Sequence, residues 1–201
     1  MMHKMNILVI TPMESERDNF KRALDDIQHR NIYRLACSGL GKANAASITA
    51  LELFGNTSAP QYDLIAVIGY AGGSNRLKQG DFVIPKMARY HDVECPEDLV
   101  PELSKVYELQ GNDNVIVLTG DSFVTENNVK QISEKNTTCE AILYDMETAA
   151  VCQIADQADI PVVVLKLVSD NPAKSDNLQS FDEFVKTHSN FSQFVHYLES
   201  L

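Results

Sequence analysis

The chain has no tryptophan, four cysteines, and 17 lysines and arginines against 28 aspartates and glutamates in 201 residues. Each shortage excludes something. Cys37, Cys95, Cys139 and Cys152 are scattered, with no C-x-x-C pair and no histidine at zinc-site spacing. Neither a disulfide framework nor a metal is indicated, and a reducing compartment fits. A formal net charge of −11 opposes long contact with nucleic acid, whose affinity comes largely from cationic neutralisation of phosphates. The apolar run in "MMHKMNILVITPM" is too short for a signal peptide, and no later run approaches a membrane span. The expectation is a soluble, cytoplasmic protein with no membrane partner, no cofactor and a small-molecule ligand.

What is present suits one globular domain. With 44% hydrophobic and 22% charged residues, a chain of this length can bury roughly 70–75% of its unfolded surface. No repeat, low-complexity tract or linker interrupts it, so residues 1–201 are expected to form a single domain. Short β-rich runs at 6–11, 33–38, 63–69, 81–85, 114–120, 141–145 and 161–169 read as strands. Most are continuously apolar, as strands covered on both faces are. Helices are expected near 13–27, 42–54, 98–109, 126–135 and 146–158, with a last one near 181–199 carrying Phe181, Phe184, Val185, His188, Phe191, Val195 and Leu198 on one stripe. This alternation predicts a three-layer α/β/α fold with a mixed, largely parallel central sheet.

Ligands in such sheets sit beyond the carboxyl ends of the strands. Four ends carry something unusual: "TPMESE" with Glu16, "GYAGG" at 69–73, Asp145-Met146-Glu147, and Ser169-Asp170-Asn171. Taken alone, each has an ordinary explanation: first-turn acids favoured by the helix dipole, a tight glycine turn, an N-capping acid, and turn initiation. "SGLGKANAA" at 38–46 lacks the spacing of a phosphate loop and reads as a strand-to-helix turn that lets backbones approach closely. His188 is expected to pack on its apolar stripe, and His91 to take a surface or hydrogen-bonded role.

Together the segments say more. "TPMESE", "GYAGG", "DMETAAV" and "VSDN", interleaved with "GDFVIPKMARYHD" and "GDSFV" and followed by "SFDEF", resemble the methylthioadenosine/S-adenosylhomocysteine nucleosidases, within the nucleoside phosphorylase superfamily. The resemblance runs from Ile7 to Phe184. It implies a nucleoside phosphorylase-like fold, a homodimer, and hydrolysis of a purine N-glycosidic bond through an oxocarbenium-like sugar. By similarity, Asp170 protonates the five-membered ring of the purine, Glu147 accepts hydrogen bonds from ribose hydroxyls, and Glu16 is the general base for water. Met146 packs on the sugar, Phe123 stacks on the base, the backbone of Val124 reads its edge, and Phe181 contacts the 5′ substituent. Asp145 is acidic in the family too, and as a rigid first-turn acid it would help hold the loop.

Departures from the family keep rivals in view. Val67 and Ile68 stand where phosphorylases carry an arginine, which favours water over phosphate, while Arg17 and Arg34 leave a phosphorylase open. Tyr70 replaces a residue that is usually serine, so it would crowd or reshape the nucleophile's side of the pocket. Futalosine-cleaving nucleosidases share the fold, and a nucleoside-binding protein without turnover would need fewer acids. After "ARYHD" the family's longer loop is replaced by the acidic "VECPEDLV", which predicts a missing wall at the 5′ side.

Overall fold

The computed structural model describes residues 4–55, 61–93, 105–134 and 139–201. Strand β1 (Asn6–Thr11) leads into α1 (Glu14–Asp26), then β2 (Ile32–Cys37), α2 (Lys42–Phe54) and β3 (Leu64–Gly73). Short β4 (Phe82–Val83), β5 (Pro85–Tyr90), β6 (Tyr107–Glu108) and β7 (Asp113–Thr119) follow, then α3 (Val129–Glu134), β8 (Ala141–Asp145), α4 (Thr148–Gln157), β9 (Val162–Asp170), α5 (Asn177–Thr187) and α6 (Ser192–Ser200). One sheet runs in the order β2-β1-β3-β8-β7-β5-β6, with β9 paired to β3 and β4. The pairs β1–β2, β1–β3, β3–β9, β5–β7 and β7–β8 are parallel, whereas β3–β8, β4–β9 and β5–β6 are antiparallel. The mixed, largely parallel sheet is the one the strand pattern predicts.

The two faces of β1 show why such strands are apolar throughout. Ile7 and Val9 pack with Phe20 of α1, Phe184 of α5, and Phe194 and Leu198 of α6. Leu8 and Ile10, pointing the other way, pack with Ala45 of α2 and with Ala149 and Val151 of α4. A strand with helices on both sides has no face for polar residues. Each such buried side chain contributes about 1.5–3 kcal/mol. A third cluster, Ile116, Leu118, Ile142 and Tyr144 with Val124 and Ile132, lies under α3.

Several expectations need correction. The run "GYAGG" is not a turn: β3 continues through it, and Gly72 and Gly73 pair antiparallel with Tyr144 and Leu143 after a register shift at Ala71. The last helix is two helices, because the Thr187 hydroxyl bonds back to Glu183 and Phe184 carbonyls and His188 leaves helical geometry with ψ 77°. The break turns Phe191 and Phe194 fully into the core. It also leaves His188 exposed, stacked on the Phe184 ring at 3.8 Å, and not buried in a stripe. Of the helix expected at 98–109, residues up to 104 lie outside the described residues, and 107–108 form β6 against Met87 and Ala88. Of the helix expected at 126–135, the described residues up to 134 are helical only over α3, and 135 lies outside them. His91 is buried, its ring lying where a Cβ on Gly120 would reach within 2.3 Å of Nε2.

Candidate active site

A cavity of about 180 Å³ opens where β1, β3, β8 and β9 end. The residues singled out from the sequence, Glu16, Tyr70, Phe123, Val124, Met146, Glu147, Asp170 and Phe181, all border it. The fold brings them from four strand ends and from the start of two helices.

Glu16 sits in the first turn of α1 and is 1% exposed. Its carboxylate accepts the Met13 N–H at 2.8 Å, the reciprocal half of a helix cap, and the Tyr70 N–H at 2.9 Å. The second bond explains Gly69, whose φ of 154° belongs to glycine and whose added Cβ would meet Glu16 Oε1 at 2.3 Å. Burial pushes Glu16 up to about 7, with Lys166 and the two N–H donors opposing.

At the end of β8 the two acids divide the work. Asp145 turns inward: Lys166 Nζ lies 3.0 Å from Oδ2, Thr119 Oγ1 donates at 2.7 Å, and Thr148 donates through both its N–H and its hydroxyl. Burial alone would raise Asp145, but Lys166 and the threonines outweigh it and hold the carboxyl below its ordinary value. Asp145 therefore holds the loop and starts α4. Glu147 turns to the cavity and accepts the Gly41 N–H at 2.8 Å. Burial, then the charge of Asp145, push Glu147 up to about 7. Gly41, at φ 92°, is the reason for the glycines of "SGLGK": the turn aims a bare backbone N–H at a carboxylate.

Lys166 is the residue that sequence reading misses. It is fully buried in the centre of β9, and although burial disfavours its charge, Asp145, Glu147 and Glu16 together raise it above its ordinary value. The available signal is a lysine inside "VVVLKLV", since a charge in a doubly covered strand needs partners. Asp170, at the end of β9, is raised by burial, with Ser169 and Asn177 opposing through hydrogen bonds of 2.7 and 3.3 Å.

The opposite wall is apolar. Phe123 and Phe181 meet edge to face at 5.8 Å, Phe123 is 39% exposed at the mouth, and Leu40, Leu178 and Pro172 complete it. Tyr70 borders the cavity, with its hydroxyl engaged elsewhere. Its ring packs edgewise on Phe184 and Phe191, and its hydroxyl donates to the His188 carbonyl at 2.6 Å. No lysine or arginine is among the described residues bordering the cavity. Arg17 pairs with Asp18 and Arg34 with Glu52, both at the surface. Among the described residues no group of histidine, cysteine and acidic side chains could hold a metal ion. Most of "VECPEDLV" lies outside the described residues.

The family model of the phosphorylase superfamily matches residues 6–198. A 5′-methylthioadenosine/S-adenosylhomocysteine nucleosidase of Bacillus cereus is 34% identical over 174 residues, 74% of this chain and 71% of that protein. The chain belongs to this nucleosidase family. Among solved structures, the nucleosidase of Neisseria meningitidis in complex with methylthio-immucillin-A superposes with a TM-score of 0.78 at 26% identity, covering 98% of this chain and 99% of that one. The Streptococcus pyogenes nucleosidase shares the fold with a TM-score of 0.80 at 24% identity, over 100% and 98% of the two chains. This nucleosidase carries an acid-rich cavity with no lysine or arginine among the described residues that border it. No helix among its described residues is long and apolar enough to cross a membrane.

Proposed function

We propose that this protein hydrolyses 5′-methylthioadenosine or S-adenosylhomocysteine to adenine and the free thioribose. The observation that carries the reading is the placement of three buried carboxylates, Glu16, Glu147 and Asp170, around one cavity whose other wall is aromatic. Phe123 covers the base and the Val124 backbone reads its edge, with Met146 against the sugar and Phe181 toward the 5′ substituent. Tyr70 contributes its N–H, which holds Glu16 in place.

The reaction divides among the acids. The bond from the anomeric carbon to the purine nitrogen breaks, and its electron pair leaves with the base. Asp170 gives a proton to the five-membered ring, so that neutral adenine departs and a carboxylate remains. Positive charge develops on the ribose ring, where Glu147, fixed by Gly41 N–H, accepts hydrogen bonds from the ribose hydroxyls and stabilises the charge electrostatically. Water adds to the anomeric carbon and its proton passes to Glu16, whose value near 7 suits a base working at neutral pH. Phosphate would bring two charges into a site with no lysine or arginine among its described walls, which supports water as the nucleophile.

We further propose that residues 1–201 act as one domain, that two copies associate as a homodimer, and that the enzyme works in the cytoplasm. The deciding assay incubates the protein with methylthioadenosine and follows adenine by chromatography. Release of adenine with a reducing sugar is expected, and Asp170→Asn should lower turnover by at least about a hundredfold. Binding without release would overturn the enzyme assignment, and unaltered turnover in the variant would remove Asp170 from the reaction.

A further inference from the structure

Asn177, the first residue of α5, is 3% exposed and lies behind the cavity wall, bordering it nowhere. Its side-chain amide nitrogen donates to the Val124 carbonyl at 2.9 Å and to Asp170 Oδ2 at 3.3 Å. These two acceptors belong to distant segments that the proposed function places against the two ends of the same base: the acid at the five-membered ring and the backbone at the outer edge. One amide therefore ties both ends of the base site together.

We infer that Asn177 is a positioning residue for purine protonation, holding the Asp170 carboxyl in plane with the base and in register with Val124. The inference rests on the role of Asp170 proposed above. Its physical basis is a count of protons. An amide NH₂ has two hydrogens and here two acceptors, so neither bond is made at the expense of the other. Ser169, the other donor to Asp170, has one hydroxyl proton and two acceptors in reach, Asp170 Oδ1 at 2.7 Å and the Ala71 carbonyl at 3.1 Å. Asn177 thus keeps one N–H for the carboxyl while the other holds Val124. As Asp170 gives its proton to the ring nitrogen, negative charge grows on the carboxylate and the Asn177 N–H becomes a charge-assisted bond, so its contribution increases along the reaction. The titration of Asp170 agrees with this arrangement: burial raises it, and Ser169 and Asn177 are the groups that oppose. Glu16, Asp145, Glu147 and Lys166 perturb one another instead.

A general structural role and a positioning role separate on one pair of ligands. Adenine has the ring nitrogen that Asp170 would engage, and 7-deazaadenine has a C–H there with the rest of its outline unchanged. Dissociation constants of both are measured by calorimetry for the wild-type protein, Asn177→Ala and Asn177→Ser, with thermal melts to verify folding. The Ala variant should weaken adenine about tenfold and leave 7-deazaadenine within about a factor of two, with kcat falling alongside. A serine hydroxyl is too short to span both acceptors, so the Ser variant should show the same selective loss, and it decides the matter if the Ala variant fails to fold. Equal weakening of both ligands, or no change in either, would overturn the inference. If the wild-type protein itself shows no preference for adenine over 7-deazaadenine, the role of Asp170 falls, and the inference with it.

Discussion

Replacing Lys166 with methionine removes the ammonium shared by Asp145, Glu147 and Glu16 while keeping an unbranched chain in the middle of β9. Lys166 is wholly buried and the Asp145 side chain is 2% exposed, so no water replaces the lost partner. Breaking such a pair from one side costs about 3–5 kcal/mol. For a chain of this size that lowers Tm by roughly 6–20 °C, at about 2–4 °C per kcal/mol. The loss should depend on pH. In the wild-type protein the folded Asp145 carboxyl lies below its unfolded value, so it contributes stability above about pH 4 that disappears only as pH falls through the depressed value. In the variant only the threonines oppose burial, the folded value should rise above the unfolded one, and stability is then lost as pH rises. The Tm gap between the two proteins should therefore widen from about pH 5 to about pH 8. Glu16 and Glu147 lose the same cation and move above their present values near 7, so the acidic limb of the kcat/KM profile should shift to higher pH. Calorimetric melts at the two pH values and initial rates of adenine release test both statements. A constant Tm gap, or an unmoved acidic limb, would refute the electrostatic account of Lys166.

Three other outcomes follow from the same geometry. Gly69→Ala puts a Cβ 2.3 Å from Glu16 Oε1, and turnover per folded molecule should drop by about a hundredfold or more, the scale of a displaced general base; near-normal turnover would show that Glu16 tolerates displacement. Glu16 and Glu147 are raised from 4.5 to about 7, so the wild-type protein without ligand should lose stability as pH rises from about 5 to 8, by about 3 kcal/mol at most for either group and less than additively for the two. Denaturant titrations giving a flat or rising stability over that range would contradict it. Adenine release should proceed equally in phosphate-free buffer and in millimolar phosphate, and detection of a sugar 1-phosphate by mass spectrometry would overturn the choice of water.

Much of this molecule can be read from its residues because the sheet is covered on both faces. Apolar runs such as "NILVIT" and "AILYD" coincide with β1 and β8, and "KANAASITALELF" with α2, since local pattern and packing agree there. The disagreements arise where tertiary contact overrides local preference. Glycines in "GYAGG" suggest a turn, yet β3 uses them to pass between β9 and β8. The stripe from Phe181 to Leu198 keeps helical spacing across a break, because both α5 and α6 face the same core. In the site, the acids stand at strand ends and are visible in one segment each. Lys166, Gly41 and Asn177 act on residues in other segments, and their effect appears only once the strands are placed side by side.

The absence of a lysine or arginine from the described walls of the cavity also governs which molecules are turned away. A 5′-phosphorylated adenosine presents the same base and ribose, but carries its extra charge into a site bordered by Glu16, Glu147 and Asp170. Each negative charge brought within ~6 Å of a carboxylate at an effective dielectric near 20 meets about 3 kcal/mol of repulsion. Neutral or zwitterionic 5′ substituents escape that penalty. The carboxyl groups bordering the cavity thereby disfavour adenine nucleotides as ligands, and keep a destructive chemistry off an abundant energy currency.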